Sequence, residues 1–182
     1  MFKRILLLLF VIPTTIFSLP LVAMHPQNNN YIYGLNIGKD ADKYIGNPYV
    51  WGGNSLTNGL DCSAFVKILV KKHIGINLPR TAQNQALNTK KYLSITSLNE
   101  LKIGDALYFK NKKEHIYHVA FVTGFDFDGY PFITHAKGEK YGIVREKINI
   151  NYINSFFLAK RFSSVLEQEN EKIYIPLLLK NL

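Results

Sequence analysis

The 182-residue chain predicts an α+β fold, and two contrasts along it carry that expectation. Between Ile37 and Gln85 apolar residues recur at helical spacing in separate stretches, at Ile37–Ile45, after Asp61 and after Thr81. From Ala106 onward they fall into short β-branched and aromatic runs bounded by turn residues. Helices gathered first and a meandering antiparallel sheet second differ from alternating βα units. A hydrophobic content of 47%, with 12 Phe and 11 Tyr, supplies a core for one domain and excludes general disorder.

Residues 1–23 read as a secretory signal. Lys3 and Arg4 precede the apolar run Ile5–Ile12, and Leu21-Val22-Ala23 offers a cleavage site after Ala23. The rival reading, an uncleaved anchor, is weakened by Pro13, Pro20 and a run short of the roughly 20 residues that span a bilayer. No stable membrane span is then expected after cleavage. Residues 24–36, with Asn28-Asn29-Asn30, read as a polar linker or arm. Residues 37–163 form the expected domain and 164–182 a tail. In the domain, Ile37–Ile45 suits a short helix that Gly46-Asn47-Pro48 stops.

Asn58-Gly59-Leu60-Asp61-Cys62-Ser63 holds the chain's one cysteine. Asp61 is a helix-start signal, Phe65, Ile68 and Leu69 keep helical spacing, and Lys71, Lys72 and His73 before Gly75 suit a C-terminus. Cys62 therefore falls in a first turn, where free N–H groups and the helix dipole favour a thiolate. A second helix follows Thr81. Leu101–Asp105 reads as a turn. Five strands are expected, at 106–109, 117–123, 132–135, 143–146 and 156–162, with a hairpin at Asp128-Gly129. Ser163–Asn170 is a possible helix.

One cysteine allows no internal disulfide. The charge of +9 is spread along the chain, and no nucleic-acid motif accompanies it, so an anionic envelope polymer or plain solvated lysine remains. A cysteine nucleophile needs a base and a group to orient it. His118 and His135 sit on strands that a hairpin would bring roughly 5 Å apart. One imidazole is then placed to act on Cys62 and the other to fix its tautomer. The plainer alternative is a buried core cysteine and two structural histidines.

Pro48-Tyr49-Val50-Trp51-Gly52-Gly53, Asp61-Cys62-Ser63, Pro79-Arg80-Thr81-Ala82-Gln83, Ile103-Gly104-Asp105, His118-Val119-Ala120 and His135-Ala136 occur in that order. Together they resemble the NlpC-type cysteine peptidases of bacterial cell walls, from about Ile37 to Phe162. The resemblance implies a permuted papain-like fold, with the nucleophile helix packed on a small antiparallel sheet. It implies Cys62 as nucleophile, His118 as base and His135 as the orienting third residue. Tyr49 would stand beside the oxyanion, and Asp61 and Ser63 would line the substrate side, Asp61 meeting a free amine. Implied substrates are peptidoglycan stem peptides cut between D-glutamate and a diamino acid, outside the cell or in the periplasm, without metal or cofactor. Ala64 and Ala120 replace the family's usual glycines, which points to an altered cleft. A non-catalytic wall-binding module, an acyltransferase or amidase, and a Cys62–His118–His135 metal site are the competing readings. Oligomeric state is not legible.

Overall fold

The computed structural model describes residues 28–89 and 92–162. The expected signal, the tail and its possible helix lie outside those residues. The described elements are α1 (Asn28–Asp42), β1 (Asn54–Ser55), β2 (Gly59–Leu60), α2 (Cys62–Ile74), α3 (Ala82–Leu87) and β3 (Leu93–Ile95). There follow β4 (Ala106–Lys110), β5 (Ile116–Phe125), β6 (Pro131–Gly138), β7 (Gly142–Lys147), α4 (Ile150–Ser155) and β8 (Phe156–Arg161).

The α+β expectation holds, with one correction to the sheet. It has six antiparallel strands in the order β3-β8-β4-β5-β6-β7, not five, and β1 pairs with β2 in a separate small ladder. The extra strand, β3, has three residues, of which Leu93 and Ser94 are exposed. So short an edge carries almost no periodic signal. Its pairing with β8, far away in sequence, makes it a strand.

Alternation along β5 divides the core. Val119 and Phe121 join the cluster beneath the helices, with Ile37, Phe65, Leu69 and Tyr108. Ala120 and Val122 join a second cluster with Leu107, Phe109 and Ile133, partly covered by Tyr152 and Ile153 of α4. Phe65 makes edge-to-face contacts with Tyr44, just past the end of α1, and with Phe121 of β5, which seats α2 on the sheet beside α1.

The segment read as a polar arm is helical from Asn28. Its sequence discourages a helix, because Gly34 and Gly38 are poor formers. Tertiary packing overrides that preference. A Cβ on Gly34 would lie 2.2 Å from the carbonyl oxygen of Ile103, and Gly38 is nearly as close to the Ile103 side chain. The glycines let α1 rest directly on the Ile103-Gly104 turn. That turn is tied to the sheet through Asp105, which accepts from Arg161 Nε and Nη2 at 2.8 and 2.7 Å. Gly34→Ala is therefore expected to destabilise the domain by roughly 1–3 kcal/mol. Each kcal/mol lowers Tm by roughly 2–4 °C at this chain length, and a thermal melt checks it.

Candidate active site

Helix α2 begins as its residues dictate. Asp61 is the N-cap, with its Oδ1 accepting from the Ala64 N–H at 2.9 Å. The other end stops at Gly75, which adopts φ 79° and donates to the Lys71 carbonyl. Cys62 is the first helical residue, and it forms part of a cleft of about 630 Å³. The cleft is also lined by Trp51, Ser63, Arg80, Gln83 and His115. Trp51 and Tyr117 stand exposed on its rim. A slightly larger hollow, bordered by Ile74, Leu78, Pro79, Leu87 and Tyr92, does not contain Cys62, and His118 and His135 line neither space.

The helix N-terminus does aim donors at the thiol. The backbone N–H groups of Cys62 and Ser63, together with that of Val119 on β5, favour its thiolate. Burial nevertheless dominates, the Asp61 carboxylate adds to it, and the thiol is pushed up to about 11. The expected lowering by the helix start is overturned at rest, because Cys62 is nearly enclosed.

Val119 is the neighbour of His118, so the thiol meets β5 beside the imidazole-bearing residue. His118 Nε2 and His135 Nδ1 are 2.6 Å apart, the juxtaposition that the hairpin geometry anticipates. The His118 ring stacks on Phe109 and Tyr152, with centroids at 5.9 and 6.2 Å. Burial first, then the nearby charges of His135 and Lys137, lowers His118 to about 3. His135 is fully buried and also lowered by burial, against the opposing pull of Glu146. At neutral pH the site therefore rests as a thiol and two neutral imidazoles.

Tyr49 lies close enough to Cys62 and Asp61 that, after burial, their charges raise its hydroxyl to about 12, keeping it a donor. Asp61 and Ser63 also reach the cleft, but their polar atoms are taken. Asp61 Oδ1 accepts from Ser63 Oγ, Ala64 N and Arg80 Nη1, and Oδ2 from Arg80 Nη2 at 2.7 Å and Gly52 N at 3.2 Å. This carboxylate braces the helix start, the Gly52 turn and Arg80. A substrate amine would have to displace one of those donors. Ser63 Oγ likewise accepts from Arg80 Nη1 at 3.0 Å, while Gln85 holds the Ser63 carbonyl.

Ala64 and Ala120 are almost fully buried, one in each core cluster, and neither lines the cleft. Their methyls fill the core rather than reshape the cleft. His73 does not cap its own helix carbonyls; it is 2.8 Å from Asp40 of α1. Among the described residues no group of three His, Cys, Asp or Glu is gathered to hold a metal. No helix among them is long and apolar enough to cross a membrane.

Sequence reasoning left three participants without a role. Arg80 stands in the quoted motif, and its fork joins Asp61, Ser63 and the Gly53 carbonyl. Glu146 on β7 carries no motif; its Oε1 lies 2.9 Å from His135 Nε2. Its Oε2 accepts from Lys137 at 2.7 Å. Only the pairing of β6 with β7 brings these side chains together.

The NlpC/P60 family model matches residues 46–165. The chain belongs to the NlpC/P60 family. Among curated relatives, it is 30% identical over 133 residues to the gamma-DL-glutamyl hydrolase of Bacillus subtilis, a match covering 72% of this chain and 29% of that protein. It is 37% identical over 120 residues to the bifunctional muramidase/DL-endopeptidase CwlT of the same organism, covering 65% and 34%. The chain thus spans about a third of these family members. Among solved structures, the NlpC/p60 domain of the peptidoglycan hydrolase SagA aligns with a TM-score of 0.56 and 26% identity, over 71% of this chain and 98% of that domain.

Proposed function

We propose that this protein is an exported cysteine endopeptidase that hydrolyses an amide bond in peptidoglycan stem peptides, between D-glutamate and the following diamino acid. One observation carries the reading: a cysteine at a helix start in an open cleft, beside the strand whose His118 is hydrogen-bonded to His135. The names of the Bacillus relatives support amide hydrolysis at glutamyl or DL linkages. The expected signal at residues 1–23 supports export, since the polymer lies outside the cytoplasm.

Cys62 passes its proton to His118 as it attacks the scissile carbonyl, giving a tetrahedral intermediate. The Tyr49 hydroxyl and the N–H groups at the start of α2 are the donors for the oxyanion. His118 then protonates the departing amine, and the acyl group stays on Cys62 as a thioester. Water, deprotonated by His118, hydrolyses it and restores the thiol. The burial that keeps Cys62 and His118 neutral at rest makes proton transfer part of the attack rather than a prior equilibrium. Pairing with His135 stabilises the imidazolium formed.

Digestion of defined muropeptides by the purified protein, with products read by mass, tests the reading. The expected products are a fragment ending in the D-glutamyl carboxylate and one beginning with the diamino acid amine. Cleavage elsewhere would retain the peptidase and correct the bond. Binding without release would assign a wall-binding module, and a transferred acyl group an acyltransferase.

A further inference from the structure

We propose that Glu146 is a positioning residue that sets the tautomers of both histidines in series and leaves His118 Nδ1 as the bare, basic nitrogen. The inference rests on the reading of Cys62 and His118 as nucleophile and base. His135 Nε2 faces Glu146 Oε1 at 2.9 Å, and a carboxylate only accepts. The proton of neutral His135 therefore sits on Nε2, and its Nδ1 is bare. That bare nitrogen, 2.6 Å from His118 Nε2, accepts from it. The His118 proton is thus held on Nε2, and Nδ1 remains for the thiol proton. The opposite chain would set a lone pair of His135 against the carboxylate.

The surroundings keep Glu146 ionised. Burial alone would raise it, but hydrogen bonds from Lys137 and His135 outweigh burial and hold it below the usual carboxylate range. The polar and titratable groups about the pair are His118 on β5, Lys137 on β6, Glu146 on β7, and Tyr152 on α4, whose ring lies edge-on to His135 at 5.6 Å and whose hydroxyl lies against Glu146. Lys137 and the Tyr152 hydroxyl, like His135 Nε2–H, offer protons to the carboxylate. Two acceptor oxygens are therefore needed, and a carboxylate supplies them without a donor of its own, which an amide does not.

This makes the isosteric amide the informative variant. In Glu146→Gln the single carbonyl oxygen is drawn to Lys137, which can only donate, and the amide NH₂ turns toward His135 Nε2. His135 must then accept there and carry its proton on Nδ1. That proton is donated to His118 Nε2, and the His118 proton moves to Nδ1, which can no longer act as a base. Adding Lys137→Met frees the amide to present its oxygen to His135 and restores the original tautomers. A merely structural Glu146 would make the double variant no better than the single one.

The test measures ring-nitrogen NMR shifts of ¹⁵N-histidine-labelled protein together with kcat and KM on a muropeptide. In wild type, His118 Nδ1 is expected to be unprotonated at neutral pH. In Glu146→Gln it becomes protonated, and kcat falls about 10²-fold or more with KM unchanged, as a tautomer inversion does elsewhere. The Lys137→Met/Glu146→Gln variant recovers both the shift and most of kcat. An unprotonated His118 Nδ1 in Glu146→Gln, or a double variant as impaired as the single one, would overturn the proposal. If the wild-type protein cleaves no muropeptide, the peptidase reading fails by itself, and the shifts still decide the tautomers.

Discussion

Cys62→Ala stops the release of fragments from a muropeptide, a loss of at least about 10⁴-fold in kcat, while the domain stays folded. Both halves follow from the site. On the proposed reading His118 takes the thiol proton, while the other hydroxyl at the start of α2, that of Ser63, is fixed between Asp61 and Arg80. The side chain removed is small and alanine fills most of its space, so the cost in stability is about 1 kcal/mol. A kinetic assay and a thermal melt of the same preparation check the pair of results. Were Cys62 simply a core residue, the melt would shift by the same small amount and turnover would survive the substitution.

His118→Gln has a double signature. Turnover falls roughly 10²–10⁴-fold, because glutamine cannot take up the thiol proton. The second effect is on acid stability. His118 is lowered in the folded state to about 3, by burial first and then by His135 and Lys137, against an ordinary value of 6.5. Between those values the unfolded chain binds a proton that the folded chain refuses, so stability rises with pH across that window. The His118 contribution is complete above about pH 6.5 and is lost progressively as pH falls toward 3. Wild-type Tm is thus expected to fall as pH drops from 7 to about 4, and the Tm of His118→Gln to fall less steeply. His135, lowered in the same direction, keeps some slope in the variant. The carboxylates are common to both, so the difference between the two curves reports His118 and its coupling to His135. Parallel curves would mean that His118 is not held neutral by burial.

What the chain made legible was local chemistry. Asp61 before an apolar run, and Gly75 after a cluster of cations, located α2 and put Cys62 on its first residue. Thr81 likewise caps α3, accepting from the Asn84 N–H. The hairpin made the approach of His118 and His135 readable, because antiparallel strands have a fixed spacing. Residues whose role depends on non-local pairing were not readable. Leu93–Ile95 becomes a strand only against β8. The start of α1 forms despite Gly34 and Gly38, because close packing on Ile103 needs them. Glu146 acquires its place from the β6–β7 register, and Lys137 and Tyr152 acquire theirs beside it.

Two residue-level expectations changed for a common reason, which is burial. The helix start favours the Cys62 thiolate as the sequence implies, yet enclosure by α2 and β5 outweighs it. Ala64 and Ala120 sit near the proposed nucleophile and base in sequence, but their side chains enter the two cores and leave the cleft unchanged. Position along the chain placed these residues near the chemistry, and side-chain direction decided what they do there. Asp61 changed for another reason: its oxygens already serve four partners, so it acts as a brace for the cleft wall.

The thioester on Cys62 is the central claim, and hydroxylamine tests it most directly. Added during digestion of a defined muropeptide, it competes with water for the acyl-enzyme, displacing the Cys62 thiol and giving the D-glutamyl hydroxamate in place of the carboxylate. The expected result is a hydroxamate whose share rises with hydroxylamine concentration in wild type and is missing with Cys62→Ala. Free acid as the only product at every concentration, with turnover intact, would contradict an acyl group held on Cys62.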